Sequence, residues 1–222
     1  MTPRSTPVIA TGAAVLAGAT VGLAVTPTWA SLVAAALAGP QPKAWWLLSR
    51  ATGFVAYAAL CLSMWLGLTI SNRWARLWPG GPMAVDVHRH TSLLALGFAL
   101  VHALVLLGDR YVELTLAAIV LPFAAPLEHW LAVAAGQLAL YTLALVVGSF
   151  YVRRAIGARA WRVIHFATFA LFALATVHGI VSGTDSAAPL YWTAASTVLF
   201  LTIHRLVRVL WRPTSRSSPA RL

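Results

Sequence analysis

Six long apolar segments decide what this sequence can fold into. A helix needs about 20 apolar residues to cross the ~30 Å hydrocarbon core of a bilayer. Six stretches have that length and character, at residues 7–25, 44–70, 85–107, 129–152, 160–181 and 190–210. The whole chain is 60% hydrophobic and only 9% charged, which excludes an ordinary soluble domain. We therefore predict an all-α integral membrane protein, built as a bundle of six transmembrane helices.

The first apolar segment has two interpretations. Arg4, then an apolar run, then Thr28-Trp29-Ala30 are typical of a secretory signal peptide that is removed. The apolar character continues after this point, which favours a retained helix and an outer loop within residues 1–43. The rest divides into a five-helix domain over 44–211 and a disordered basic tail over 212–222. Within the domain, a short stretch broken by two prolines predicts an interfacial segment over 113–126.

The basic residues fall mainly on one side of the predicted membrane. The N-terminal end, two of the connections and the C-terminal end hold thirteen of the sixteen Lys and Arg residues. The other side carries Lys43, Arg50 and Arg110, together with four of the five acidic residues. By the positive-inside rule, both termini are predicted to be cytoplasmic. This distribution explains the net charge of +11 without a nucleic-acid partner, for which the sequence has no motif.

Four histidines lie inside the third and fifth segments, in two pairs. His88 and His102 are 14 residues apart and His165 and His178 are 13 apart, so each pair spans roughly 20 Å along a helix axis. The two segments run parallel, which puts the first histidine of each near the cytoplasmic face and the second near the outer face. On an ideal helix, the third-segment pair lies about 40° apart and the fifth-segment pair about 140°. The wider angle requires an irregular helix, or imidazoles that approach from different flanks.

Paired imidazoles at two depths indicate haem ligation. Histidine is costly inside a membrane, so such residues are candidates for function. Two neutral imidazoles fill both axial positions of a haem iron, which favours electron transfer over oxygen binding. The competing explanation is a set of packing histidines with hydrogen bonds between helices. Matched depths on parallel helices favour ligation of haem b, although the spacing alone leaves one haem or two open.

Three further histidines are weaker candidates. His90 is two residues from His88 and is the main alternative to it as the cytoplasmic-side ligand. His129 stands at an outer helix end and His204 near a cytoplasmic one. A boundary position explains each of these two better than a role in proton traffic or in contact with a quinone.

Two arginines could pair with the anionic propionates of a haem. Arg50 lies in the second segment towards the outer side and is the candidate for an outer haem, with snorkelling to the interface as the alternative. Arg89 is the candidate for an inner haem, with plain positive-inside charge as the alternative. Small residues inside the segments would let helices or a flat macrocycle approach closely, and these are Gly67, Gly97 and Gly148.

Three stretches of the chain resemble the ferric reductase-like transmembrane domain family. They are Trp46-Leu-Leu-Ser-Arg50-Ala-Thr-Gly53, then His88-Arg89 followed by Val101-His102-Ala103-Leu104, then Trp161-Arg-Val-Ile-His165 followed by Val177-His178-Gly179. That family includes the membrane cores of ferric reductases and NADPH oxidases. It also includes the haem-binding membrane subunit of the bacterial methionine-sulfoxide reductase system. The resemblance covers about residues 44–211.

The resemblance implies haem b bound by His88 with His165 and by His102 with His178, and electrons that move outward from the cytoplasmic side. The sequence has no GxGxxG-type fingerprint, so we expect an external donor, either a separate flavoprotein reductase or a membrane quinol. A flavin is not indicated by the sequence itself. The expected acceptor is ferric iron or a partner oxidoreductase on the outside, and the expected location is the plasma membrane.

The resulting prediction is a b-type cytochrome, an oxidoreductase component with no catalytic residues of its own. Whether it is an enzyme in its own right stays open. One alternative is a non-redox transporter or metal-handling protein with histidines on Zn²⁺ or on a proton path. The spans have almost no carboxylates to complete such a site. The other alternative is a membrane anchor or assembly subunit in which the histidines only pack.

Overall fold

The structure, a computed structural model, describes residues 43–74, 80–109, 114–125, 130–183 and 188–211, together with Thr20, Ala24 and Ser31. Helices account for most of these ranges, and no strand occurs in them. They are α1 (Ala44–Ser71), α2 (Gly81–Val105), α3 (Leu116–Val120), α4 (Trp130–Tyr151), α5 (Arg153–Phe166), α6 (Thr168–Ser182) and α7 (Ala188–Leu210). A 3₁₀ turn, Leu106–Gly108, continues α2.

Within the described ranges, five helical segments are long and apolar enough to cross a membrane. They are Ala44–Ser71, Gly81–Gly108, Trp130–Tyr151, Arg153–Ser182 and Ala188–Leu210. Each corresponds to one of the second to sixth predicted segments, so the all-helical, multi-pass character is confirmed for this part of the chain. Apart from Thr20 and Ala24, the first predicted segment and its signal-peptide alternative lie outside the described residues, as does the predicted tail. The count of six spans and the cytoplasmic termini therefore stay predictions.

Large apolar side chains remain exposed along these helices. Leu94, Leu145 and Leu199 are 53%, 57% and 60% exposed. A soluble protein rarely exposes apolar surface on this scale. In a bilayer the same side chains face lipid tails that are as apolar as leucine, so no penalty arises.

The helices pack mainly as two pairs. α1 runs along α2, α4 runs along α6, and α7 packs against α1. Aromatic and aliphatic side chains fill the space between them, including Tyr57, Leu68, Leu171 and Phe172. At the end of α1 the backbone turns out of the helix, and the carbonyl of Asn72 accepts a 2.6 Å hydrogen bond from Arg208 of α7. Because this one core contains residues of α1, α2, α4, α6 and α7, the two pairs form a single bundle.

The segment that contains α5 and α6 is not a regular helix. Gly157 adopts φ 81° and ψ 156°, a conformation that favours glycine, and it breaks the first turn of α5 from the rest. A second break at Ala167 separates α5 from α6, and its N–H bonds to the carbonyl of Ile164 at 3.0 Å in a tight 3₁₀-type turn. This break falls between His165 and His178. Of the two explanations for the wide angle between these histidines on an ideal helix, the break supports an irregular helix.

The short helix α3 is held against α4 by one buried side chain. Gln137 Nε2 donates to the carbonyls of Ala118 at 2.7 Å and Ile119 at 2.8 Å. Tyr141, one turn further along α4, donates to the carbonyl of Val120. The last carbonyls of a helix have no N–H donor within it, so the side chains of Gln137 and Tyr141 supply the missing hydrogen bonds. The stretch predicted as interfacial is thus a short helix docked on a transmembrane one.

Loss of this clamp is expected to lower the thermal stability of the protein. Gln137→Leu leaves the two carbonyls without a donor, at a cost of about 1–3 kcal/mol for each acceptor that stays buried. Thermal unfolding in detergent, followed by tryptophan fluorescence, should therefore begin at a lower temperature. Thr142→Val is the matched control, because its hydroxyl bonds only to Leu138 within α4. Equal melting of the two variants would contradict the role given to Gln137.

Candidate functional site

The four histidines that share predicted depths meet in two pairs, at opposite ends of α2. The inner pair, His88 and His165, has ring centroids 6.2 Å apart and ring planes at 79°. The outer pair, His102 and His178, has centroids 6.0 Å apart and planes at 77°. α2 supplies one ring to each pair, and the segment formed by α5 and α6 supplies the other. The names inner and outer follow the predicted orientation.

The spacing within each pair fits one metal ion between two imidazoles. A metal–imidazole bond of about 2.0 Å, with about 1.2 Å from the nitrogen to the ring centre, puts two opposed ring centres about 6.4 Å apart. The observed separations of 6.2 and 6.0 Å are close to this value. Direct edge-to-face contact between two rings also gives centroid distances of about 4.5–7 Å, so the separation is compatible with a metal ion and does not by itself require one. The residues present therefore fit a metal centre with two axial imidazoles, which is the requirement of a bis-histidine haem.

Three of the four imidazoles are fixed by backbone carbonyls of the neighbouring helix. The Nδ1 to oxygen distances are 2.9 Å from His88 to Ser63, 2.7 Å from His102 to Ser49 and 2.8 Å from His178 to Ala132. A carbonyl only accepts, so Nδ1 holds the proton and Nε2 keeps a free lone pair. Metal-ligating histidines almost always donate their other ring N–H in this way, which fixes the ring and raises its basicity.

Glycines on the neighbouring helices make room for these rings. A Cβ atom at Gly136 would lie 2.7 Å from Nδ1 of His178, and one at Gly53 would lie 2.9 Å from Nδ1 of His102. Both distances are shorter than real Cβ contacts, so only glycine fits the present ring positions. Gly67 is less restricted, since its Cβ would lie 3.4 Å from Cε1 of His88. Gly97 and Gly148, which the sequence also suggested, have nothing within 4 Å of a Cβ.

The residues that hold the α2 histidines form a repeat in α1. Ser49-Arg-Ala-Thr-Gly53 and Ser63-Met-Trp-Leu-Gly67 have the same Ser-x-x-x-Gly pattern, 14 residues apart. This is also the spacing of His88 and His102. In each copy the serine carbonyl accepts from Nδ1 and the glycine lies beside the ring. Histidine spacing alone did not reveal these positions, but a search of α1 for the same 14-residue period would have found them.

His165 is held differently from the other three. Its ring stacks on Trp161, with centroids 5.2 Å apart and planes at 23°. No hydrogen bond to its ring is present among the described residues. On α4, 14 residues after Gly136, the chain has Phe150 instead of a second glycine. Within the described ranges, the fourth histidine therefore has neither a glycine beside its ring nor a carbonyl bonded to Nδ1, and its ring is held by aromatic stacking.

The remaining histidine candidates lie apart from the pairs. His90 is exposed, and its Nδ1 bonds to the carbonyl of Asp86 at 2.7 Å, so it does not face His165. His204 contacts the ring of Trp74 at a centroid distance of 4.7 Å. Its buried Nδ1 has no hydrogen-bond partner among the described residues. His129 lies outside the part of the chain that the structure describes.

The two arginine candidates have other neighbours in the structure. Arg50 places its guanidinium 4.4 Å from the ring centre of Trp46, a cation–π contact near the outer end of α1. Arg89 lies 3.9 Å from Asp86, and both side chains are about half exposed or more. An exposed ion pair of this kind contributes little to stability. Neither contact by itself assigns the side chain to a haem propionate, so both roles stay predictions.

A family model matches residues 44–185 of the chain, and its description is Domain of unknown function (DUF8596). The chain belongs to this family. The matched residues of the chain include both histidine pairs, the two Ser-x-x-x-Gly copies and Gly136, and they end before α7. The whole candidate site is therefore within the family domain. Comparisons with curated proteins and with solved structures gave no match.

Proposed function

We propose that the protein is a b-type cytochrome of the membrane, in which the inner and outer pairs each bind one haem. The observation that supports this most strongly is the joint geometry of the pairs. At each level, the distance between the two ring centres leaves room for one metal ion between the rings. In three of the four rings, Nδ1 is hydrogen-bonded to a backbone carbonyl. Haem iron supplies single-electron chemistry when bound. The resemblance to ferric reductase-like membrane domains supports the same proposal.

The role of the chain in this proposal is to place and tune the redox centres. Each pair would supply a bound haem with two imidazole ligands, which would leave oxygen no open position on the iron. At three of the four rings, a carbonyl of a neighbouring helix fixes which nitrogen is free. Because α2 and the α5–α6 segment each contribute to both levels, the two sites lie in register across the bundle. Their separation is roughly 20 Å along the axis.

The direction of transfer follows from the predicted orientation. Electrons would enter at the inner pair from a flavoprotein reductase or a quinol and leave at the outer pair. The acceptor would be ferric iron or a partner oxidoreductase outside the plasma membrane. Basic side chains that cluster at the inner end, including Arg153, Arg159 and Arg205, would also attract an acidic donor protein.

The zinc alternative receives no support from the site. Protein zinc sites use three or four protein ligands. Among the described residues, no three side chains of His, Cys, Asp or Glu come together as such a group. A haem would need only two ligands from the protein, and each pair would supply two imidazoles.

The test is a reduced-minus-oxidised visible spectrum of the protein purified in detergent, with a pyridine haemochrome count. We expect sharp low-spin b-type bands and about two haems per chain. One haem per chain would overturn the two-site form of the proposal. No haem, after expression with ample haem supply, would overturn the proposal as a whole.

A further inference from the structure

We infer that Ser92 is a positioning residue for the inner pair, acting on His88 through the hydroxyl of Ser63, and that the matching histidine of the outer pair on α2, His102, has no counterpart. The inference rests on the proposed haem binding. It adds a residue that touches neither the iron nor the ligating nitrogen. Its consequence is that the two redox centres differ chemically, although their ring geometries are nearly the same.

The inner ring is part of a closed cycle of hydrogen bonds. Ser92 Oγ donates to the carbonyl of His88 at 2.8 Å. Ser63 Oγ lies 2.7 Å from Ser92 Oγ and 3.1 Å from Nδ1 of His88. Each serine has only one proton to donate. Because Ser92 uses its proton on the carbonyl, Ser63 must donate to Ser92.

The direction of this cycle decides what Ser63 does to the imidazole. With its own proton on Ser92, the Ser63 hydroxyl can only accept from Nδ1–H. His88 then has two acceptors at Nδ1, the Ser63 carbonyl at 2.9 Å and the Ser63 hydroxyl. Hydrogen bonds in such a cycle strengthen one another. Ser92 therefore holds the hydroxyl in the orientation that increases the basicity of the ligand.

His102 of the outer pair has a serine hydroxyl near Nδ1, but no second serine in the described part of the chain fixes this hydroxyl. Ser49 Oγ lies 3.2 Å from Nδ1 of His102, as Ser63 does at the inner level. The position that corresponds to Ser92, four residues after the histidine, is Leu106. The Ser49 proton instead reaches the carbonyl of His102 in a long contact of 3.4 Å. No second hydroxyl contacts the Ser49 hydroxyl among the described residues. The other outer histidine, His178, has a serine hydroxyl near Nδ1, that of Ser182, but only in a long contact of 3.4 Å.

Removal of Ser92 should raise the midpoint potential of the inner haem. In Ser92→Ala, the freed Ser63 hydroxyl can turn to a carbonyl of its own helix, as serines in helices do. The imidazole then loses one acceptor and becomes a weaker donor to ferric iron. We expect Ser63→Ala to cause a shift of the same sign, and Ser92→Thr to restore the original value. The haem count should not change, because the carbonyl that fixes Nδ1 belongs to the backbone.

The experiment is a potentiometric titration of the full chain in detergent, with each potential assigned by its loss in His178→Ala. Thr91→Val is the matched control, since Thr91 Oγ1 also bonds to the carbonyl of His88, at 3.0 Å, and is not part of the Ser63–Ser92 cycle. It should leave both potentials in place. In the double variant Ser63→Ala/Ser92→Ala, the shift should equal that of Ser63→Ala alone, because one break already opens the cycle.

Three outcomes would overturn the inference. They are an unchanged inner potential in Ser92→Ala, additive shifts in the double variant, or an equal shift of the outer potential. Each of these requires haem to be present, so it leaves the proposed function standing. A protein without haem would instead overturn the proposed function itself.

Discussion

Replacing His178 by alanine is expected to remove the haem that we propose at the outer pair and to spare the one at the inner pair. The haemochrome count should fall from about two per chain to about one, because the outer pair would then offer one imidazole instead of the two that would hold the haem. The inner pair should be unaffected. Its ring from the α5–α6 segment, that of His165, belongs to α5 and is separated from His178 by the break at Ala167. Visible spectra and haem counts of the purified variant measure both effects.

Added imidazole provides a second readout for the same variant. The alanine leaves space where the ring of His178 stood, and free imidazole can occupy it as a replacement ligand. We expect reconstitution with haem and imidazole to recover the low-spin spectrum of the outer site. His90→Ala is the control, because that exposed ring bonds only to the carbonyl of Asp86. Retention of two haems in His178→Ala without imidazole would show that the assignment of the outer ligand is wrong.

The spans could be predicted from the sequence because they depend on one simple quantity. Apolar runs long enough to cross a bilayer gave segments such as 44–70 and 190–210, and α1 and α7 end within two residues of those limits. The internal breaks could not be predicted in the same way. The apolar pattern continues through Ala167, where the helix tightens for one turn, and a single threonine beside it, Thr168, is common in transmembrane helices and does not mark a break.

The sequence predicted which histidines come together in pairs, but not the groups that hold them. Histidines inside apolar segments are conspicuous, since they cost free energy there. The groups that hold them are backbone carbonyls and glycines, which are common in any transmembrane helix. Ala132, whose carbonyl fixes His178, has no chemical mark in the sequence at all. Only the equal spacing of Ser49 with Ser63 and of His88 with His102 contains that information, and it needs the pairing of α1 with α2 to be recognised.

The second large effect is expected from a single added methyl group at Gly136. The Cβ of Gly136→Ala would lie 2.7 Å from Nδ1 and 2.9 Å from Cγ of His178. The neighbouring atoms belong to the ring and not to a flexible chain end, so the whole imidazole must move. Movement breaks its hydrogen bond to the carbonyl of Ala132. We expect loss of the outer haem with retention of the inner one, as for removal of His178 itself.

Two other glycines make this prediction a graded one. Gly53→Ala places its Cβ 2.9 Å from Nδ1 of His102 and should also cost the outer haem. Gly67→Ala places its Cβ 3.4 Å from the ring of His88, near ordinary contact, and should keep the inner haem. Haem counts of the three variants should therefore follow the Cβ distances. If all three variants keep both haems, the glycines beside the rings have no role in placing the histidines.

A helix control separates this effect from a general loss of stability. Alanine is more favourable than glycine inside a helix by roughly 1 kcal/mol, so the substitutions should not weaken α1 or α4 as helices. Gly148→Ala, on the same helix as Gly136 and with nothing within 4 Å of its Cβ, should keep both haems. If Gly136→Ala loses one haem while its thermal unfolding stays like that of Gly148→Ala, then the methyl group acts on the imidazole and not on the fold. That result would tie the outer redox centre to one backbone position on α4, a helix that contributes no ligand of its own.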